Sequence, residues 1–444
     1  MEFKRRDFLK WSLTSAVFIS AASQTQGRSR SEVNAKPPEY KLGPSIMQGA
    51  TDATKTQFSI VYDANKALDI FVLDSTGKRY EPDEVRPIVF LDHPKQITKV
   101  FFSNLFTNEN FTLNLAEAGG GALIDSRSFQ TLDLSKTSLR FAICSCMDDS
   151  LHEPAIWQDV VKKAPDVIFF IGDSVYADKG ATNEGANPAY LCKRFCETRT
   201  ILEIYYSKKL IPVLATWDDH DFGLDDANCR NYHYVSESQK NFLQFFAQEE
   251  SHCSLLQAGP GVSSVFRYGS QLFLLLDGRS FRVAKGSKER YAHWGQAQEL
   301  WMLDLIAKNQ GPSWFMTGSQ IFPSFLWQES VSKDSPVQFA EVLNQLKNLT
   351  SKTIFVSGDV HYSEVTQIEP AILGYTTYEL TSSAMHSWGT PGAPAIIPNK
   401  RRIMSTGQRN YILVDSTAKG TGCTMNMTCY GINGQTHFTR TLEV

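Results

Sequence analysis

Hydrophobic and polar positions change their rhythm partway along this chain. Between Ser45 and Leu134 they fall in short alternating runs, QFSIVYD, LDIFVLD, ITKVFFSNL and FTLNLAE, separated by Gly, Asn, Asp and Pro, with no helix-length amphipathic period between them. Closely spaced strands of that kind predict a small antiparallel sandwich. From Arg140 the pattern alternates. LRFAIC, DVIFFIGD, IPVLATWDD, QLFLLLDGR, SWFMTGSQIF, TIFVSGDVH, YTTYELTSS and YILVDS read as strands, and HEPAIWQDVVKKA, NPAYLCKRFCETRTILEIYYSKK, SQKNFLQFFAQ, QAQELWMLDLIAKNQ and PVQFAEVLNQLKN carry helical periodicity. Such alternation predicts an α/β domain with a largely buried sheet, whose ligands gather outside the carboxyl ends of the strands. A chain of 444 residues exceeds the roughly 250–300 at which single cores stop growing. The expected organisation is therefore a leader at 1–26, a polar linker at 27–44, a β domain at 45–135 and a larger domain at 136–444.

The leader places Arg5 and Arg6 ahead of Phe8, Leu9 and Lys10, followed by a mildly apolar run from Trp11 to Ala22 that ends in small residues. This reads as a twin-arginine export signal, so the protein is expected to engage the twin-arginine machinery and reach the periplasm or the exterior. A retained anchor or an unstructured tail is the alternative. The run falls short of the roughly 20 residues that span a bilayer, so no membrane span is expected in the mature protein. Cleavage near Ala22 removes four basic against two acidic residues and would take the net charge from −3 to −5. At 42% apolar and 20% charged, with no long block of like charge, the chain has no arm for a nucleic-acid partner. An oxidising destination permits disulfides among the eight cysteines. Cys192 and Cys196 fall one helical turn apart, Cys229 and Cys253 flank a helical segment, and Cys423 and Cys429 bracket a candidate hairpin. Cys144 and Cys146 are expected to divide between the core and a site.

Three polar signatures follow apolar strand runs: VIFFIGDSVYAD at 167–178, VLATWDDHDFGLDDAN at 213–228 and IFVSGDVHYSE at 354–364. In the first, Gly172 lets the backbone turn, Asp173 can bridge two cations, and Tyr176 can offer a phenolate. A phenol titrates near pH 10, at about 10 in model peptides, so only a hard trivalent ion would draw it in. Alone, this motif is more often a solvated turn. In the second, Asp218, Asp219, His220 and Asp221 are consecutive, with Asp225, Asp226 and Asn228 close behind. Two like charges about 4 Å apart repel by about 4 kcal/mol at an effective dielectric of about 20. A partly buried loop would need a cation to hold this crowd, and Trp217 with the apolar run before it favours burial. In the third, Asp359 and His361, two apart on an extended segment, should project to one face and reach a single ion; an N-cap Asp beside a core histidine is the bland alternative. Taken together the three strand ends predict a binuclear or trinuclear metal site. Trp294, Trp301, Leu303 and Leu305 read as core, Glu379, His386 and Trp388 are left open, and His93, His152, His233, His252, His293 and His437 have no partner at ligand spacing.

The order Ser145-Cys146, GDSVYAD, WDDHDFG, LDGRSFR, SGDVH and ELTSS resembles the PhoD-like alkaline phosphatase/phosphodiesterase family, within the calcineurin-like metallophosphatases, over most of residues 140–444. The resemblance implies a metallophosphatase-type α/β fold, a double β-sheet sandwich flanked by helices, preceded by a small all-β domain of immunoglobulin or fibronectin type. It implies a ferric ion (Fe3+) surrounded by Cys146, Asp173, Tyr176 and His361, and calcium (Ca2+) served by Asp173, Asp219 and Asp359. Asp218 and Asp225 are further candidate ligands, and other divalent cations are compatible with the set. Asp225 stands where the family often has Asn, and its added charge bears on which cations bind. Arg279 in LDGRSFR could take a phosphoryl group bidentately, with Arg282 the weaker candidate and a surface salt bridge the alternative. His220 is expected near the phosphoryl or leaving oxygen as a catalytic group.

The implied activity is exported, metal-dependent hydrolysis of phosphate esters. A cation can lower the pKa of bound water from about 15.7 to about 7, so hydroxide attack on phosphorus would need no nucleophilic serine. A phosphodiesterase acting on lipid head groups, teichoic-type polymers or nucleotides, and a non-catalytic metal-binding member of the fold, are the alternatives.

Overall fold

The computed structural model describes residues 40–444 except Asp92, residues 324–328 and Thr390. The expected leader and residues 27–39 of the expected linker lie outside the described residues.

The first strand runs form two antiparallel four-stranded sheets. One has the spatial order Ser45–Thr51, Thr56–Asp63, Lys95–Phe102, Glu84–Val89; the other runs Arg79–Tyr80, Leu68–Leu73, Asn110–Glu117, Leu123–Gln130. Every second residue of these strands points to the same side, and Ile46, Phe58, Ile60, Val72, Val100, Phe111, Leu113 and Phe129 from both sheets meet in one apolar cluster.

The rest of the chain is mixed α/β, built on two larger sheets. The six-stranded one has the order Val213–Thr216, Val167–Ile171, Ser138–Cys144, Tyr411–Lys419, Gly422–Tyr430, Thr436–Glu443, its first three strands parallel. The eight-stranded one runs Leu256–Ala258, Ser264–Tyr268, Gln271–Leu275, Ser313–Met316, Thr353–Ser357, Thr377–Thr381, Ser363–Ile368, Arg402–Thr406, with its third to sixth strands parallel.

The parallel strands are apolar on both sides because both sides are covered. Along Ser138–Cys144, Leu139, Phe141 and Ile143 join Phe169, Phe273, Trp314 and Val356 in the core between the sheets. Ala142 and Cys144, on the other side, join Trp157, Phe195 and Phe245 from the helices Pro154–Lys163, Pro188–Ile201 and Val235–Phe245. The second sheet divides in the same way: Leu272, Leu274, Phe315 and Phe355 join Met302, Ile306 and Val342 of the helices Gly295–Lys308 and Pro336–Lys347. Phe141 stands edge-on to Phe273 at 5.3 Å and to Trp314 at 5.0 Å, which packs the two sheets face to face. No helix among the described residues is long and apolar enough to cross a membrane.

All eight cysteines are free thiols. Cys423 and Cys429 do not bracket a hairpin; both lie on the single strand Gly422–Tyr430, buried in the core between the sheets. The segments that follow the parallel strands come together because small residues let them. Gly172 has φ +95°, and a Cβ there would stand 2.7 Å from Cβ of Asp218; one on Gly318 would stand 2.6 Å from the same atom. Neither position has room for a side chain.

One buried histidine ties a helix to this region. Trp157 Nε1 donates to His386 Nε2 at 3.1 Å, so the ring's proton sits on Nδ1, 3.0 Å from the carbonyl oxygen of Asp148. Burial pushes His386 down from 6.5 to about 4, against the opposing pull of the Asp148 carbonyl. Below pH 6.5 the unfolded ring takes up a proton that the folded ring refuses, so this contribution is complete above 6.5 and is lost as pH falls to about 4. Urea denaturation of wild type and His386→Asn at pH 7.5 and 4.5 should show the wild type losing about 2–3 kcal/mol more than the variant. Equal losses in the two proteins would contradict this assignment.

Candidate metal centre

Each candidate ligand follows the end of a parallel strand. Cys146 comes two residues after Ser138–Cys144, Asp173 two after Val167–Ile171, Asp218 and Asp219 just after Val213–Thr216, and Asp359 two after Thr353–Ser357. None is more than 3% exposed. The ligand atoms of Cys146, Asp173 and His361 lie within 4.8 Å of one another, as do those of Asp218, Asp219 and Asp359, and those of Asp173, Asp219 and His220. Asp173 and Asp219 each belong to two groups, so the three merge into one continuous cluster. Tyr176 adjoins it through Oη, 3.3 Å from His361 Nε2.

Four of these residues hold left-handed backbone: Cys146 at φ 56°, Asp173 at 53°, Asp359 at 71° and His361 at 59°. Each such conformation costs on the order of 1–3 kcal/mol and persists only where its surroundings over-determine it. Here the hydroxyl of Ser383 accepts from His361 N at 2.7 Å and lies 3.1 Å from Cys146 Sγ, while Met147 N donates to the carbonyl of Asp173 at 2.8 Å. The turn corrects one expectation. Asp359 and His361 are not on an extended segment, and Val360 N closes back on the carbonyl of Gly358 at 2.9 Å. Asp359 goes to the aspartates and His361 to the thiol. The cysteine pair divides for a similar reason. Residues two apart on a strand share a face, but the strand ends at Cys144, and the left-handed turn at Cys146 swings its thiol to 3.4 Å from Asp173 Oδ2 while Cys144 stays in the helix-side core.

Burial drives the Asp173 carboxyl well above the usual carboxylate range; His220 opposes this, and Asp219, Asp218 and Asp221 add to it. Burial likewise raises the Cys146 thiol, with Asp173 and Asp359 contributing, against hydrogen bonds from Ser145 and Ser383. Asp173 Oδ1 and Asp218 Oδ2 are buried and find no hydrogen-bond donor. Such atoms are costly without a partner, and a bound cation would oppose the raising effects by favouring the charged carboxylate and thiolate. The donor set of carboxylate, thiol, imidazole and phenol fits a group of cations.

The neighbouring groups are held in place by a second layer of contacts. His220 Nδ1 lies 2.8 Å from Asp178 Oδ1, and its ring stacks on Tyr176 with centroids 4.1 Å apart. Although burial works against its charge, Asp219, Asp178 and Asp173 hold His220 well above the ordinary imidazole range. Asp225 sits on the outside of its loop, exposed, with its carboxylate near Asp178 and His220 rather than among the buried aspartates. Asp221 accepts from Val175 N at 2.8 Å and Asp218 N at 3.1 Å, pinning two of the strand-end segments to each other.

Arg279 differs from what the sequence suggested. Its guanidinium is wholly buried and all five donors are engaged: Nε to Asp218, one terminal nitrogen to the Ala227 carbonyl at 3.1 Å and Glu329 at 3.0 Å, the other to Ser319 at 3.3 Å and Glu329 at 3.1 Å. No pair of its N–H groups is open to a phosphoryl oxygen in this arrangement, and it is no surface salt bridge either. Arg282 is similarly engaged by Glu329, Ser319 at 2.6 Å and His293 at 3.2 Å. Burial would raise the Glu329 carboxyl, but Arg279 and Arg282 hold it far below the usual range.

Glu379 is taken up by backbone, accepting from Ile321 N at 2.7 Å and Phe322 N at 2.9 Å, and Trp388 is largely exposed. Sequence reasoning passed over Ser383, Asp178, Ser319 and Glu329. Ser383 and Asp178 were legible as the tails of ELTSS and VYAD, whereas nothing in the order of residues pointed to Glu329.

A model of the PhoD-like phosphatase family matches residues 141–421. A search of the curated proteins finds no match to the chain. The matched span covers well over half of the sequence and contains every strand-end residue of the cluster, and the chain belongs to the PhoD-like phosphatase family.

Proposed function

We propose that this protein is an exported, metal-dependent hydrolase of phosphate esters, resembling alkaline phosphatase D. The observation that carries the reading is the continuous cluster through Asp173 and Asp219, which joins a thiol, two imidazoles and four buried carboxylates at the ends of parallel strands from both large sheets. In this reading residues 1–26 are a twin-arginine leader removed on the way to the periplasm or exterior, 27–44 a linker, 45–135 an immunoglobulin- or fibronectin-like all-β domain, and 136–444 the catalytic metallophosphatase domain.

Cys146, Asp173, Tyr176 and His361 would hold a ferric ion, and Asp173, Asp218, Asp219 and Asp359 calcium or another divalent cation. When bound, the cations supply a more acidic water and positive charge toward the phosphoryl oxygens. Asp178 fixes His220 Nδ1 and Tyr176 packs its ring, which leaves Nε2 to donate a proton to the departing oxygen. Arg279 acts as a positioning residue: by binding Asp218 Oδ1 it leaves Oδ2 for a cation. Asp225, on the rim, adds negative charge beside Asp178 and His220 without entering the buried set.

Chelation should abolish phosphate-ester hydrolysis and calcium should restore it. Asp219→Asn and Asp359→Asn should each lower turnover by at least about 100-fold with the fold retained by circular dichroism, since each loses a ligand charge. Full activity in metal-free protein would overturn the metal-dependent reading. The iron assignment has its own signature, because a phenolate or thiolate on a ferric ion absorbs visible light. Tyr176→Phe should shift or remove that band, and a colourless active enzyme containing only zinc would exclude iron.

Arg279→Lys keeps the charge but loses the planar fork. As a positioning residue it should lower kcat/KM on an aryl monoester and on the matching diester by the same factor, about 10-fold or more, together with a fall in bound metal. A loss confined to the monoester, with metal content unchanged, would instead assign Arg279 to the phosphoryl group.

A further inference from the structure

A second set of metal-ligating side chains lies apart from the carboxylate cluster and shares no residue with it. Asn187 caps the helix Pro188–Ile201 by accepting from Tyr190 N at 3.0 Å, and Pro188 opens its first turn. Cys192 and Cys196, one turn apart, therefore share a face. His93, just before the strand Lys95–Phe102, reaches that face; the fold supplies the partner that sequence spacing did not. The ligand atoms of His93, Cys192 and Cys196 lie within 4.8 Å of one another. Around a zinc ion with bonds of about 2.0–2.3 Å, tetrahedral ligand atoms stand about 3.5–3.8 Å apart, so small side-chain rotations would close the set on one ion.

We propose that His93, Cys192 and Cys196 form a zinc site that fastens the turn before Lys95–Phe102 to the helix Pro188–Ile201. Two thiolates and an imidazole favour zinc over the calcium that suits an all-oxygen set. Lys95 N donates to His93 Nδ1 at 3.1 Å and the Lys95 carbonyl oxygen stands 3.3 Å from the same atom, so Nε2 becomes free to ligate when the ring's proton moves to Nδ1 and the Lys95 N bond is exchanged for one to that carbonyl. With the proton on Nδ1, that carbonyl becomes the acceptor that orients a ligating imidazole. Phe90 packs edge-on against the ring at 6.1 Å. The thiols are 8% and 2% exposed, whereas His93 is half-buried and offers the ion a way in. The neighbouring Cys192 thiol and burial raise the Cys196 thiol, while Arg199 and Lys95 are the nearby cations that favour its thiolate.

The test uses the full mature chain, incubated with zinc chloride, freed of excess and analysed for zinc, iron and calcium. One zinc per chain should be retained by wild type and by Cys146→Ser, lost in Cys192→Ser and Cys196→Ser, and bound at least about tenfold more weakly by His93→Ala. Iron, calcium and phosphatase activity should be unchanged in His93→Ala. Zinc should also raise the unfolding midpoint of wild type but not of Cys196→Ser. Equal zinc retention in all variants, no zinc on the wild type at micromolar zinc, or a Cys192–Cys196 disulfide found by peptide mass mapping would each overturn the proposal. If the cysteine variants do not fold, His93→Ala decides, because its half-exposed ring can be removed without opening the core.

Discussion

Negative charge is concentrated where buried strands end, and the α/β part of the molecule is arranged around that constraint. Asp173, Asp218, Asp219 and Asp359 are all but fully buried within a few ångströms of one another. Such a cluster is tolerable in three ways: a carboxyl takes a proton, an arginine neutralises it, or a cation binds. The structure uses the second for Asp218, through Arg279, whereas Asp173 has only the His220 imidazole to oppose its neighbours' charge. Burial, more than any single neighbour, is what drives the Asp173 carboxyl upward, with Asp219, Asp218 and Asp221 adding to it.

The scaffold sustains this because it is stiff where the charges meet. Strands that bury both faces cannot slip in register without mismatching close-packed side chains against the opposite sheet and the helices. Gly172 and Gly318 bring the two sheets' strand ends against Asp218 where no Cβ would fit. The left-handed turns at Cys146, Asp173, Asp359 and His361 then aim side chains inward that an ordinary strand continuation would send elsewhere. Glu329 completes the balance: it binds Arg279 and Arg282 together, so the two guanidinium groups share one carboxylate, and Arg279 has Asp218 as a second. Removing Arg279 would leave Asp218 buried without its guanidinium, while Glu329 would keep Arg282.

The α/β alternation, the strand-end position of the three signatures and the candidate ligands were legible in the order of residues. Period-two apolar runs bounded by Gly-Asp record local preferences, and carboxylates crowded after an apolar run signal a cation wherever the loop is buried. The joint order of short motifs also identified the family, since several weak patterns in one sequence order constrain far more than any one of them.

Only the tertiary structure decided which groups meet. Asp359 and His361 part company because the backbone between them turns left-handed, and Cys146 rather than Cys144 reaches Asp173 because the strand stops between them. Arg279 changed from a surface or substrate-facing cation to a wholly buried one because Glu329, fifty residues along the chain, folds back onto it. His93 acquired two cysteines about a hundred residues away through the packing of a turn on a helix. Hydrophobic period and motif spacing are properties of neighbours in the chain and can be read from it; burial, hydrogen-bond saturation and ligand convergence depend on neighbours in space, which are set only once the sheets have packed.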